Sequence, residues 1–448
     1  MKKRIDRRQF LRSTAAVGAS LYLSPSALGQ SGGSKSDNIN VALLGAGAQG
    51  QVLMNAILKM GKNSGIRFKA VCDIWTAYNQ RRVSRILKAY RHEHNTYVDY
   101  REMLDKEKDL DAVIIATPDF WHAEHTVACL KAGLHVYCEK EMSNTLEGAR
   151  KMVEAAREAG KLLQIGHQRR SNPRYIYCYE KLIKEARLLN RITTVNGQWN
   201  RSKAACEDLG WGGEKYAIDG ESLAKYGFKS MKQFRNWRWY KGLGGGPIVD
   251  LGSHQIDIYN WFLGAQPRSV IASGGTDYWE GHEWYDNVMA IYEYETEQGV
   301  VRAFYQTLTT NSSQGYFETF MGDEGTLVIS EASSRGSVYR ESWVKEDKWD
   351  KWVKKGYLKK EQGKDPSAGS SAAVDVRDTV PAAKYGLPVT MDKPFHQPHI
   401  ENFFDAIRGR TKLNCPAEIG YETAVTVLKV NEAVEAARKL DFKPEEFA

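Results

Sequence analysis

The feature that most limits what this chain can fold into is a short apolar run, Asn40-Val41-Ala42-Leu43-Leu44. It is followed at once by Gly45-Ala46-Gly47-Ala48-Gln49-Gly50 and then by a helix-patterned segment, Gln51 to Met60. Glycines at this spacing permit a tight turn, the close approach of backbone to a pyrophosphate, and close packing of helix on strand. The helix N-terminus offers unpaired N–H groups to the anion. The motif gains weight from its context. A second strand, Phe68 to Cys72, ends in Asp73, 23 residues past Gly50 and about where a ribose-binding acid belongs. A carboxylate there accepts hydrogen bonds from a ribose 2'-hydroxyl and repels a 2'-phosphate, so the pattern favours NAD over NADP.

The alternation continues with a strand at 111–116, a Thr117-Pro118 turn, a helix at 121–132, a strand at 134–138, a helix at 145–159 and a strand at 162–165. It predicts an α/β fold, a doubly wound parallel sheet over residues 38–166 with its site at the carboxyl ends of the strands. Glu139 and Lys140 leave one of those ends. At 448 residues the chain is too long for one core, so residues 167–448 are expected to form a second, α+β domain. Its strands at 192–199, 268–273, 288–294 and 300–307 alternate as a half-buried, mainly antiparallel sheet does. Residues 334–390 match no regular period and read as an insertion or extended loop. Closing helices are expected at 399–408 and 419–439.

The formal charge of +8 suggests nucleic acid or membrane, but the first 29 residues hold six basic side chains and one acidic, which leaves +3 for the rest. That is no basic stripe for a phosphate backbone, and a nucleic-acid partner is not expected. Residues 1–29 resemble a twin-arginine export signal: Arg7-Arg8-Gln9-Phe10-Leu11-Arg12, a weakly apolar stretch from Ser13 to Leu23, then Ala27-Leu28-Gly29. The stretch is too short for a permanent anchor, and the expected location is periplasmic or extracellular, reached in the folded state. Residues 30–37 read as a linker. Six scattered cysteines with no CxxC pair are expected to be buried free thiols.

Gly244-Gly245-Gly246 leads into a segment, 250–264, that reads as an amphipathic helix. On it Asp250 and His254 share a face, with Asp257 three residues beyond His254. A carboxylate beside an imidazole can fix its tautomer and raise its basicity, which suits acid–base work; the same spacing also occurs as a plain surface contact.

Together, GAGAQG at 45–50, Ala116-Thr117-Pro118 with His122, the Cys138-Glu139-Lys140 strand exit, and the triple glycine before Asp250 and His254 resemble the glucose-fructose oxidoreductase and inositol dehydrogenase (Gfo/Idh/MocA) family. The resemblance implies a Rossmann domain followed by a domain with a large open sheet, whose open face commonly packs on a second subunit. It further implies catalysis by Lys140, Asp250 and His254, with His254 as acid–base on a sugar hydroxyl. Gly45, Gly47, Ala48, Gln49, Gly50, Asp73, Thr117, Pro118, His122, Glu139 and Lys140 would bind the cofactor. The family usually has Pro after the lysine and this chain has Glu141, which would free the backbone and set a negative charge beside the ammonium.

Other candidates stay open in the sequence. His122 and His125 lack a third ligand, so no metal is expected. Arg169 and Arg170 would meet substrate or cap the Rossmann half. Trp199, Trp211, Trp237, Trp239 and Tyr240 would face a pyranose or fill a core, and Asn200, Arg201 and Arg238 are further pocket candidates. The activity implied is oxidation of a sugar or cyclitol carbinol with NAD held tightly through turnover. The alternative is a glycosidase that oxidises, eliminates and re-reduces on the same scaffold.

Overall fold

The computed structural model describes residues 38–361 and 383–448. The export-signal and linker readings fall on residues 1–37, outside the described residues. The first sheet is parallel and six-stranded. Its strands are β1 (Ile39–Leu44), β2 (Ile66–Cys72), β3 (Asn95–Tyr97), β4 (Ala112–Ile115), β5 (His135–Cys138) and β6 (Leu163–Ile165), in the order β3-β2-β1-β4-β5-β6. All four residues of β4 are fully buried, as expected of a parallel strand covered on both faces. Helix α1 (Ala48–Lys59) follows β1, and α2 (Asp119–Lys131) follows β4. Helix α3 (Leu146–Ala159) begins where Thr145 accepts a hydrogen bond from the Gly148 N–H and ends at Gly160 in the left-handed region.

The second sheet has ten strands. They are β7 (Ile192–Asn200), β8 (Pro267–Gly275), β9 (Asn287–Thr296), β10 (Gly299–Leu308), β11 (Tyr316–Gly322), β12 (Gly325–Ile329), β13 (Gly336–Arg340), β14 (Lys359–Lys360), β15 (Ala383–Gly386) and β16 (Leu440–Asp441). Their order is β14-β15-β13-β12-β11-β7-β10-β9-β8-β16. It is mainly antiparallel, with one parallel pair, β7 with β10, at its centre. Along β9 buried and exposed residues alternate, so one face is packed and the other open. The described parts of 334–390 are not a loop. They supply β13, a helix at Glu346–Lys354 and the two short strands β15 and β14, the last at the sheet edge, anchored by Trp349 and Trp352 turned into the core. Their strands are too short to declare a period in the sequence.

Helix α4 (Gly246–Leu263) lies between this sheet and α6 (Ala417–Ala436), while α5 (Gln397–Ile407) packs on α1. The sequence reads α4 as amphipathic, yet every residue from Gly246 to Asn260 is buried. Its polar side chains face an internal site instead of water, which a hydropathy pattern cannot distinguish. All six cysteines are buried and free.

Candidate active site

The glycine loop is built by sterics. Gly45 has φ +93°, and a Cβ there would lie 2.6 Å from the Ala116 backbone; at Gly50 it would lie 2.0 Å from the Gly45 carbonyl oxygen. These two glycines are packing requirements. Gly47 is different: a Cβ would come no nearer than 3.8 Å to a protein atom, Asn79 Nδ2. Its backbone therefore borders open space at the N-terminus of α1. Asp73 accepts hydrogen bonds from the N–H groups of Ala46 and Trp75, both 2.7 Å. Burial outweighs these bonds and pushes its carboxyl up to about 6.

From this loop a cleft runs past Thr117, Pro118 and Asp119 to Glu139 and Lys140. A room for backbone approach at Gly47, an acid at the end of β2 and a helix N-terminus between them fit a dinucleotide. Gln49 donates to Glu139 Oε1 at 2.9 Å, tying α1 to the end of β5. His125 lines the cleft, stacked on Trp121 at 5.1 Å. The expectation for His122 is corrected: it lies behind the wall, between the carbonyl oxygens of Thr117 and Glu141 at 2.7 Å each. Burial outweighs these two backbone contacts and lowers its pKa to about 4, and the ring braces the turn.

The roof of the cleft comes from the second domain, and of its residues the sequence reading named only Trp237 and Arg238. Leu209, Tyr226, Phe228, Phe234, Arg235 and Trp237 face Rossmann residues across it. Trp75 is 1% exposed, packs with Phe228 and Trp237, and donates its indole N–H to Tyr216 O at 2.5 Å. The density of aromatic residues between 211 and 240 was the available signal. Trp211 and Tyr240 belong to the same small core, and Trp239 is 5% exposed.

At the inner end of the cleft the two halves meet in charge. The Lys140 ammonium donates to the Asp250 backbone carbonyl and to its Oδ1 at 3.1 Å, and Arg238 Nε lies 3.2 Å from the same oxygen. Burial alone would raise the Asp250 carboxyl. Lys140, Arg238 and Arg201 outweigh it and hold the group far below the usual carboxylate range. The triple glycine that precedes Asp250 is a packing requirement: a Cβ at Gly244 would lie 3.0 Å from the Arg238 backbone, one at Gly245 would strike Val249 at 2.6 Å, and one at Gly246 would strike Trp284 at 2.8 Å.

His254 sits one turn along α4, its ring 5.2 Å from that of Trp199. The expected bond from Asp250 is not made: Asp250 is engaged by the two cations, and His254 Nδ1 is buried with no hydrogen-bond partner among the described residues. Its basicity is lowered instead of raised, first by burial and then by Lys140 and Arg169. Asp257 is likewise tied elsewhere, to Arg170 at 2.7 Å and Thr423 at 3.1 Å.

Glu141 does not loosen the chain. Its side chain is 1% exposed, Oε1 accepts from the Met142 N–H at 2.8 Å, and the Lys140–Glu141 peptide is cis. Burial pushes its carboxyl to about 8, so at neutral pH it brings little negative charge to Lys140. Asp119, also missed, is 4% exposed on the cleft wall and pushed by burial to about 7.

Two of the proposed sugar contacts are structural. Arg169 is paired with Glu318 and, at 2.9 Å, with Glu331, all buried; only its Nη2 lacks a partner. Asn200 donates to Ser313 O at 2.9 Å and accepts from Gln306 at 3.3 Å, which fixes the loop beyond β10.

A parallel sheet of this order, with a glycine loop, an acid after β2 and a lysine after β5, defines the NAD-binding Rossmann oxidoreductases. The chain belongs to the Gfo/Idh/MocA family. The model of an oxidoreductase family with an NAD-binding Rossmann fold matches residues 39–167, and that of the Gfo/Idh/MocA C-terminal domain matches 210–328. The chain is 30% identical over 234 residues to 1,5-anhydro-D-fructose reductase of Ensifer adhaerens, covering 51% of this chain and 59% of that protein. It is 29% identical over 245 residues to scyllo-inositol 2-dehydrogenase (NADP(+)) of Bacillus subtilis, covering 53% and 55%. The matches thus span little more than half the length of these relatives. Levoglucosan dehydrogenase, solved with NADH, shares the fold at TM-score 0.66 and 19% identity over 91% of this chain and 99% of its own.

Proposed function

We propose that the protein is an exported oxidoreductase that moves a hydride between NAD and a carbinol carbon of a sugar or cyclitol. The observation that carries this reading is the meeting of Lys140 from β5 with Asp250 and His254 from α4 at the inner end of the cofactor cleft. Bound NAD would supply the hydride acceptor. Gly47 and the first turn of α1 would hold its pyrophosphate, and Asp73 its ribose. Lys140, kept in place by Asp250, donates a hydrogen bond to the substrate hydroxyl and stabilises the negative charge that grows on its oxygen. His254, neutral because it is buried, takes the hydroxyl proton and returns it in the reverse direction.

Retention of the cofactor through turnover is supported by the roof from residues 209–238, and export by the paired arginines at 7 and 8. A homo-oligomer is supported by Ile271 and Ile291, which pair across β8 and β9 on the open sheet face at 45% and 43% exposure. The test is mass analysis of products from a panel of sugars and glycosides, using the full chain with its native cofactor. Formation of a keto sugar with absorbance near 340 nm supports the proposal. Release of an aglycone with no net reduction replaces it with the glycosidase reading, and protein devoid of NAD(H) that binds none in excess overturns it.

A further inference from the structure

Beyond the reacting centre, a row of cations leads outward along the exit of β7. Arg201 stands with its guanidinium 5.3 Å over the Trp199 ring, and Trp199 itself touches His254. Lys203 lies 5.6 Å over Tyr278 and 5.8 Å over Trp279, and Tyr278 is 52% exposed. On the opposite wall, Arg238 lies 4.3 Å over Trp237. Among the described residues, the side chains of Arg201 and Lys203 make no hydrogen bond or ion pair. Arg238 has spent only Nε on Asp250. Arg238 lines the cofactor cleft and Arg201 does not, so a pyrophosphate there does not account for Arg201.

The charges do not balance. Asp250 is an ionised carboxylate facing Lys140, Arg238 and Arg201, and Asp119, which faces Lys140 and Arg238, is pushed by burial to about 7 and so carries only part of a charge at neutral pH. Arg169 is already matched by its glutamates, and His254 is neutral. A neutral sugar would leave this excess positive charge half-buried and uncompensated, whereas an anion would offset it. Each guanidinium lies over a tryptophan ring, and a guanidinium fork is suited to two parallel N–H···O bonds to a planar or tetrahedral oxyanion.

We propose that this site takes an anionic sugar, a pyranoside bearing a carboxylate or a sulfate ester that is received by Arg201 and Arg238. The inference rests on the oxidoreductase reading only for the position of the reacting carbon. The same full-chain, cofactor-containing protein is titrated with methyl β-D-glucuronide, methyl β-D-glucoside and the 6-sulfate of that glucoside. Binding is followed by tryptophan fluorescence and hydride exchange by deuterium at the carbinol carbon. At least one anionic ligand is expected to bind about tenfold more tightly than the neutral one. Which of the two is tighter assigns carboxylate or sulfate.

The advantage should shrink as salt rises and should fall to near parity in Arg201→Gln, with Arg201→Lys between. The salt series needs no variant, so a misfolded Arg201→Gln does not remove the test. Equal or tighter binding of the neutral glycoside, no binding of any of the three, or a preference insensitive to both salt and Arg201 overturns the proposal. Exchange on the neutral glycoside without anion preference leaves the oxidoreductase reading standing and removes this one. Anion preference without exchange on any ligand does the reverse.

Discussion

Lys140, beyond the end of β5, and Asp250, on α4, are 110 positions apart, yet the lysine ammonium and Asp250 Oδ1 lie 3.1 Å apart in a site where both side chains are about nine-tenths buried. The carboxylate is the counter-charge that lets Lys140 and Arg238 share one wall. Asp250→Asn should leave two cations facing each other and displace the lysine. A displacement on the order of 1 Å can cost about 100-fold in rate. Steady-state kinetics should show a loss of that order in kcat, with a smaller change in KM, while circular dichroism stays that of the parent.

The acid–base assignment makes a signed statement about pH. An ordinary imidazole is half-protonated near pH 6.5, and burial with Lys140 and Arg169 keeps His254 neutral to lower pH. In the oxidative direction the acid limb of kcat/KM that belongs to His254 should therefore lie below the ordinary imidazole range. His254→Ala should cost about 10²- to 10⁴-fold and abolish that acid limb in the pH profile.

The two kinds of glycine in the turn separate folding from binding. Gly45→Ala places a methyl 2.6 Å from backbone at φ +93° and should cost ~2 kcal/mol or more in denaturant melts. Gly47→Ala meets nothing nearer than 3.8 Å. It should leave stability within ~0.5 kcal/mol while NAD content of the purified protein drops sharply.

Glu141 should give stability a pH dependence. Its folded carboxyl titrates near 8 and an unfolded one near 4.5. Between those values the folded chain keeps a proton that the unfolded chain has lost, so this group's contribution declines as pH rises from about 4.5 to about 8, then levels off. One proton sets a maximum slope of about 1.4 kcal/mol per pH unit. Urea melts at pH 5, 6.5 and 8 should show Glu141→Gln gaining on the parent as pH increases.

The Arg169 cluster joins the Rossmann half to β11. Arg169→Met would leave Glu318 and Glu331 buried without their cation, a change expected to cost about 3–5 kcal/mol. Thermal melts should show it, whereas Arg201→Gln on the site wall should melt near the parent.

The Rossmann half was legible because its period is local. β1, the glycine turn and α1 follow within 21 residues, from Ile39 to Lys59, and β4, α2, β5 and α3 each announce themselves by length and apolar content. The large sheet was legible where strands run long, as in β9 and β10, and illegible in β13 to β15, which are two to five residues each. Of the candidate site, residue types on strand ends and on α4 could be named, but their pairings could not. Sequence spacing put Asp250 with His254; folding put it with Lys140 and Arg238, because the face of α4 that carries it meets another sheet. Asp119 was readable in principle from its place after Thr117-Pro118 at the start of α2. Nothing local in Arg235 or Phe234 says that they roof a groove begun nearly 190 residues earlier.

That roof has a consequence for how the protein matures. Since the groove's floor is laid down by residues 45–140 and its cover by 209–238, a nascent chain halted before the cover emerges presents a nucleotide only an open shelf. On the proposed reading, in which the cofactor is held through turnover, its capture awaits long-range closure of the chain, and loading becomes a late event in assembly that bears witness to completed folding.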